Sequence, residues 1–228
     1  DYYASRGLGD VYKRQLVQRQ KIPGAIAMDI NKGPLARAKE NIAAAHLEDY
    51  IQIRLSDGVE ELEPGEADSI LIAGMGGELI IHILSEGEKV CKKASELILQ
   101  PQSDIRKVRE YLREHQYKIV DEDMVCEDGK YYPMMRAINV EEDCFWEKVN
   151  EETKVACDIY GQLLLRNGNQ VLRRFLVRQH RQLTQIIQTL QAQPQSEAID
   201  QRIAQVREEL HYNESAYTIL GAIKNAGI

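Results

Sequence analysis

No apolar run in this chain approaches the ~18 residues that a membrane-spanning helix needs, so the sequence offers no transmembrane helix. The four cysteines, Cys91, Cys126, Cys144 and Cys157, stand far apart with no C-x-x-C pair. That spacing signals neither a disulfide framework nor a zinc site, and it leaves reduced cytoplasmic thiols and no metal as the expectation. A net charge of −7 argues against a protein that coats nucleic acid generally, although one local basic face remains open. There is no initiator Met, and Ser5–Gln15, SRGLGDVYKRQ, shows no periodic apolar pattern before Leu16. This stretch resembles the translated adaptor sequence found at broken ends of metagenomic genes. Residues 1–15 are therefore expected to be foreign, with natural sequence beginning mid-element near Leu16.

What is present is a soluble-protein composition, 43% apolar and 29% charged over 228 residues, enough for one domain and an appendage. Apolar runs alternate with helical patterns as far as residue 144. GAIAMDI (24–30) precedes a helical pattern over Lys32–His46, in which Pro34 suits a first turn and Leu35, Ala38, Ile42 and Ala45 share a face. IQIRL (51–55), DSILIAG (68–74) and SELILQP (95–101) read as further strands, the last closed by Pro101. Gly77–Ser85 reads as a short helix, and Ser103–His115 as an amphipathic one capped by Ser103. Two final runs meet at Asp128-Gly129, a strong hairpin signal. The expected fold is α/β: a mostly parallel, Rossmann-like sheet over 16–144 with an antiparallel edge hairpin.

From Phe145 the strand signals stop. Leu163–Leu165, Val171-Leu172, Phe175-Leu176, Leu183, Ile186-Ile187 and Leu190 recur at helical spacing up to Pro194, and Ile199, Ile203, Val206, Leu210 and Tyr217 follow a polar turn. Two long helices packed as an α-helical hairpin, a coiled coil over 145–228, are expected. Between Gly161 and Gln193 lie five arginines, Arg166, Arg173, Arg174, Arg178 and Arg181, and no Asp or Glu. They are either a stripe that tracks phosphates or one side of interhelical salt bridges to Glu208, Glu209 or Glu214.

Acidic residues punctuate the strand ends. Asp29 closes GAIAMD, and Asp57-Gly58 follows IQIRLS. Ligands of open parallel sheets bind outside the carboxyl ends of the strands, where an acid can accept hydrogen bonds from ribose hydroxyls. Asp29 suits that role and Asp57 could accept from an adenine amine, so the pair would bracket an adenosine; each could equally be a surface-turn residue. Ala73–Gly77, AGMGG, would let backbone approach a ligand closely or would simply be a turn that needs glycine for steric reasons. The glycine-rich loop that should follow a first strand is expected to be missing from the chain, and with it the first strand itself.

These segments carry a resemblance. GAIAMDINKGPLARAKENI (24–42), SDG (56–58), GEADSILIAGMGG (65–77) and LILQP (97–101), followed by a coiled-coil tail, resemble the bacterial TrmK family of tRNA adenine-N1 methyltransferases acting on position 22 of tRNA, from Leu16 to about Leu220. The resemblance implies a class I, S-adenosylmethionine-dependent enzyme with a Rossmann-like domain and a C-terminal helical hairpin. By motif it assigns cofactor binding to Asp29 and Ile30, to the Asp57-Gly58 loop, and to Ala73, Gly74 and Met75; substrate binding falls to Gly76 and Gly77 and, through the tail, to Arg173, Arg174 and Arg178. The family opens with an A-D-x-G-S-D-H-A-Y-like segment, in whose place this chain has SRGLGDVYKRQ, where Gly7, Gly9 and Asp10 match the composition but not the pattern. No catalytic residue is assigned, and the chain is expected to be an incomplete copy, cytoplasmic and monomeric. A nicotinamide-dependent oxidoreductase using Asp29 and a non-catalytic RNA-binding adaptor are the alternatives.

Overall fold

A computed structural model describes residues 2–5, 22–141 and 149–225. Among them are seven strands, β1 (Tyr2–Ser5), β2 (Ala25–Asp29), β3 (Ile51–Leu55), β4 (Ser69–Gly76), β5 (Glu96–Ser103), β6 (Tyr117–Glu127) and β7 (Lys130–Asn139). The helices are α1 (Lys32–Ala44), α2 (Gly77–Glu86), α3 (Glu88–Cys91), α4 (Ile105–Glu114), α5 (Glu151–Tyr160), α6 (Gln162–Arg166), α7 (Gln170–Gln191) and α8 (Glu197–Asn225). The chain divides into two compact units: Asp1–Asp121 with Pro133–Glu142, and Glu122–Tyr132 with Asp143–Ile228. The boundary expected at residue 144 thus falls at 142, and the tip of the β6–β7 hairpin belongs to the helical unit. There Tyr131 meets Phe175 edge-on at 5.0 Å, and Met124 joins a core with Leu172 and Leu176.

In the first unit the strands run in the order β3-β2-β1-β4-β5-β7-β6. β1 to β5 are parallel, and β7 is antiparallel to β5. β2 is buried on both faces, as a parallel sheet requires. The period of two then sorts its residues: Ile26 and Met28 join Ile70, Ile72, Ile80, Leu84, Leu97 and Leu112 on one side, while Ala25 and Ala27 join Ile42 and Ile51 on the other. Hence α1 covers one face, and α2 and α4 cover the opposite one. Each fully buried Leu or Ile here stabilises the sheet by ~1.5–3 kcal/mol relative to exposure.

Three expectations are corrected. The first strand is not missing from the sheet: Tyr2–Ser5 pairs with Ile26–Ala27 on one side and Ile70–Ala73 on the other. Strand pairing is made by backbone groups, so a short extended segment can satisfy the two flanking strands whatever side chains it carries. Residues 6–21, where the first loop would run, lie outside the described residues, as do Gly7, Gly9 and Asp10. β5 does not close at Pro101 but runs to Ser103, and Pro101 stands opposite Met75 where the register shifts, a place that tolerates a residue without an N–H. For the same reason Ser103 is not a helix cap. It is still paired with Gly76, its Oγ donates to Asp104 Oδ2 at 2.9 Å, and Asp104, with φ +50°, turns the chain into α4.

The helical unit departs from a plain hairpin. Leu163–Leu165 form their own short helix, because Gly161 and Gly168, with φ +96° and +62°, break the chain on either side. Asn169 then caps α7 by accepting from Val171 and Leu172 N–H at 2.9 and 3.0 Å. The seam is narrower than the apolar stripe: Leu172, Leu176 and Leu183 are buried against Val206, Ala216 and Leu220, whereas Ile186 and Tyr217 are exposed. A polar layer sits within it. Buried Asn213 donates to Leu176 O at 3.1 Å and Gln179 Oε1 at 3.0 Å, and the Tyr160 hydroxyl donates to the same Gln179 oxygen at 2.9 Å. Buried Glu122 accepts from Leu163 N–H at 2.8 Å, tying the hairpin tip to α6.

Candidate functional site

The strand order reverses between β1 and β4, the position at which doubly wound sheets hold ligands. Three of the sequence-derived segments meet along this carboxyl edge. Asp29 ends β2, and its carbonyl accepts from Ser56 N–H at 3.1 Å, so the Asp57-Gly58 loop is fastened directly to the strand that bears Asp29. Buried Ser56 organises that loop: its Oγ donates to Gly58 O at 3.2 Å and accepts from Glu61 N–H at 3.2 Å.

The two carboxylates differ in how they are held. Asp29 Oδ1 accepts from Asn31 N–H at 2.8 Å and from the Asn31 amide at 3.3 Å; among the described residues Oδ2 accepts nothing. The Asp57 side chain has no partner among the described residues and is exposed. Ile30, beside Asp29, is a large apolar side chain left 56% exposed. An oriented carboxylate with a spare oxygen, an apolar side chain next to it and a second free carboxylate one strand away fit an adenosine: hydroxyls to Asp29, a ring face to Ile30 and an amine to Asp57.

Ala73–Gly77 lies at the end of β4, with β1 between it and β2. The register of β4 against β5 shifts between Ala73 and Met75 and again before Gly76, so the strand bulges where Gly74 takes φ +76°. Gln100 holds this bulge, its Oε1 accepting from Gly74 N–H at 2.9 Å. Gly77 meets a steric demand: a Cβ there would lie 2.6 Å from Ser103 O and 2.8 Å from Asp104 O. At Gly74 the nearest atom to such a Cβ is Gln102 Nε2 at 3.8 Å, so space is left beside the bulge. At the rim, Lys107 bridges Glu78 at 2.6 Å and Asp104 at 3.3 Å. The Ser103 hydroxyl and Lys107 hold the Asp104 carboxyl below its ordinary range, and Glu78, then Asp104, raise Lys107.

Sequence reasoning missed Gln100, Ser56 and Asn31. Gln100 had one signal, a polar residue closing an apolar run; Ser56 and Asn31 had none beyond adjacency to the acids. The arginines lie in the helical unit. Arg178 donates to Gly129 O at 2.8 Å and stands over the Tyr131 ring. Arg173 donates to Leu220 O at 3.4 Å and stands over Tyr217. Arg174 is exposed and unpaired among the described residues. Among the described residues none of these arginines pairs with Glu208, Glu209 or Glu214; Glu209 pairs with Arg202 at 3.8 Å and Glu214 with His180 at 3.3 Å.

A Bacillus subtilis (strain 168) tRNA (adenine(22)-N(1))-methyltransferase is 39% identical over 134 residues, 59% of this chain and 56% of that protein. The chain thus spans little more than half the length of this curated relative. The crystal structure of the B. subtilis M1A22 tRNA methyltransferase TrmK superposes with a TM-score of 0.80 at 30% identity, covering 95% of this chain and 92% of that one. Streptococcus pneumoniae Sp1610, a putative tRNA (m1A22) methyltransferase solved in complex with S-adenosyl-L-methionine, superposes with a TM-score of 0.77 at 25% identity over 95% of this chain and 91% of that one. The model of the family TrmK: tRNA (adenine(22)-N(1))-methyltransferase matches residues 12–215, and the chain belongs to that family.

Proposed function

We propose that this protein is a methyltransferase that uses S-adenosylmethionine to methylate N1 of adenine 22 in tRNA, as a cytoplasmic monomer. The observation that carries the proposal is the row of strand ends in which Asp29 and the Asp57 loop are hydrogen-bonded together beside the Gln100-held bulge of β4. When bound, the cofactor supplies an electrophilic methyl group. Asp29 would hold its ribose, Ile30 and the Asp57-Gly58 loop its adenine, and Ala73 to Met75 would border the reacting end.

Adenine N1 carries a lone pair and no proton, so no side chain has to act as a base. The work left to the protein is to position the base and offset the positive charge that develops on its ring. A bulge leaves backbone groups unpaired, and carbonyls near Gly74 suit the exocyclic amine of the target. N1 lies on the Watson–Crick edge, so the nucleotide must be turned out of any pair to reach the site. Positive charge for the tRNA backbone comes from the helical unit, where Arg174 and Arg181 are exposed; Arg173 and Arg178 are already engaged with protein groups.

Titration calorimetry with S-adenosylmethionine and with NADH, together with mass spectrometry of tRNA after incubation, tests the reading. Wild type should bind S-adenosylmethionine and leave 1-methyladenine at position 22. Asp57→Ala should weaken cofactor binding by ~1–3 kcal/mol without lowering the melting temperature. Binding of NADH alone would mark an oxidoreductase, and tRNA binding without methyl transfer an adaptor.

A further inference from the structure

The helical unit holds a groove of which the assignments above use only Arg181. It is a pocket of about 400 Å³ between α7 and α8, lined by Val177, His180 and Arg181 from one helix and by Glu214, Tyr217 and Thr218 from the other. That volume lies within the ~300–1,000 Å³ of small-molecule sites. Tyr217 is 43% exposed although it sits on the seam-forming helix. The Arg173 guanidinium lies 5.6 Å from its ring centroid and is itself anchored on Leu220 O, so the ring is backed by a fixed cation and still presents surface to the groove. Arg173 Nε is buried without a hydrogen-bond partner, an arrangement that core packing alone would not favour.

Charge selects the occupant. α7 contributes cations and no Asp or Glu from Gly161 to Gln193, and Arg181 at the groove has no partner among the described residues. The single carboxylate there, Glu214, is met by His180 at 3.3 Å. An aromatic platform backed by a cation, one free guanidinium for a phosphate and one carboxylate able to accept from a base amine are the elements of a single-nucleotide site. We propose that this groove takes one unpaired nucleotide of the tRNA, its base stacked on Tyr217 and its phosphate at Arg181. The proposal rests on the tRNA reading and adds to it a second contact point, separate from the methyl-transfer site. Stacking is indifferent to base identity, so the groove would serve tRNAs of differing sequence.

The test uses the full chain and an unmodified tRNA transcript bearing adenine at position 22. Affinity is measured at several salt concentrations for wild type, Tyr217→Phe, Tyr217→Leu and Arg181→Gln, with a far-UV melt of each. Tyr217→Phe should bind within about twofold of wild type, and Tyr217→Leu roughly 5- to 150-fold more weakly. Arg181→Gln should weaken binding and lower the salt slope by about one ion. Tyr217→Leu binding like wild type overturns the groove and leaves the tRNA reading standing; a wild type that binds no tRNA overturns both. Should Tyr217→Leu melt early, the wild-type protein decides by itself: tRNA substituted with 4-thiouridine should crosslink on irradiation to peptides containing Tyr217 or Arg181, and crosslinks confined to other peptides refute the site.

Discussion

Gly58 meets two demands at once, one on its backbone angle and one on the space beside it. Its φ of +53° is left-handed, and a Cβ built there would lie 2.9 and 3.0 Å from the two γ-carbons of Ile83. Ile83 is 5% exposed and belongs to the main core, so it has little room to give. Gly58→Ala therefore adds ~1–2 kcal/mol for an L-residue in the left-handed region and ~1–3 kcal/mol for overpacking. Narrowing of the unfolded chain returns ~0.4–1 kcal/mol, leaving a net destabilisation of about 2–3 kcal/mol. Urea unfolding followed by circular dichroism should show this as a lower midpoint. Gly33→Ala is the control: nothing lies within 4 Å of its Cβ, and it should be neutral or stabilising by up to ~1 kcal/mol. Ile83→Ala removes both clashing carbons, so the double variant Gly58→Ala/Ile83→Ala should be less damaged than the sum of the single changes by ~1 kcal/mol or more. If Gly58→Ala unfolds within ~0.5 kcal/mol of wild type, or the double variant is additive, the clamp of the Asp57-Gly58 loop on α2 is refuted.

Two further outcomes test the electrostatics and the core. The Arg54 guanidinium bonds both carboxylate oxygens of Glu66 and holds its pKa down at about 2 against an ordinary 4.5. Because the folded value is depressed, the stabilisation is present above pH 4.5 and is lost as pH falls toward 2; urea midpoints of wild type and Glu66→Gln should differ at pH 7 and converge near pH 2, and parallel curves would show that the pair contributes nothing. Burial pushes the Cys91 thiol up to about 12, whereas Cys126 is exposed on the hairpin. Iodoacetamide at pH 8 followed by peptide mapping should find Cys126 modified and Cys91 intact in the native protein, and equal labelling would contradict the buried placement.

Local chemistry wrote much of this protein plainly. Runs such as AIAM (25–28) and ILIAG (70–74) are apolar because both faces of a central parallel strand are covered, and Asp29 and the glycines of AGMGG follow them at the carboxyl edge of the sheet. Asp128 and Gly129, with φ +48° and +74°, turn the hairpin as the dipeptide signals. These features depend on a residue and its near neighbours, so the sequence alone determined the cores of strands β2 to β7, the hairpin and the positions of Asp29 and Asp57 at strand ends.

Other features depend on partners far along the chain. Gln100 reaches Gly74 only through the register of β5 on β4, and no spacing announces it. The central slot of the sheet is filled by Tyr2–Ser5 because backbone pairing asks only for an extended segment. In the helical unit the apolar stripe marks a face but not its width: the seam narrows to a few leucines around Asn213 and Gln179, and Tyr217 turns outward. Periodicity encodes which face of an element is buried. Which polar atoms meet across that face, and which apolar residues stay in water, is decided only when the elements pack and each buried donor has to find its acceptor.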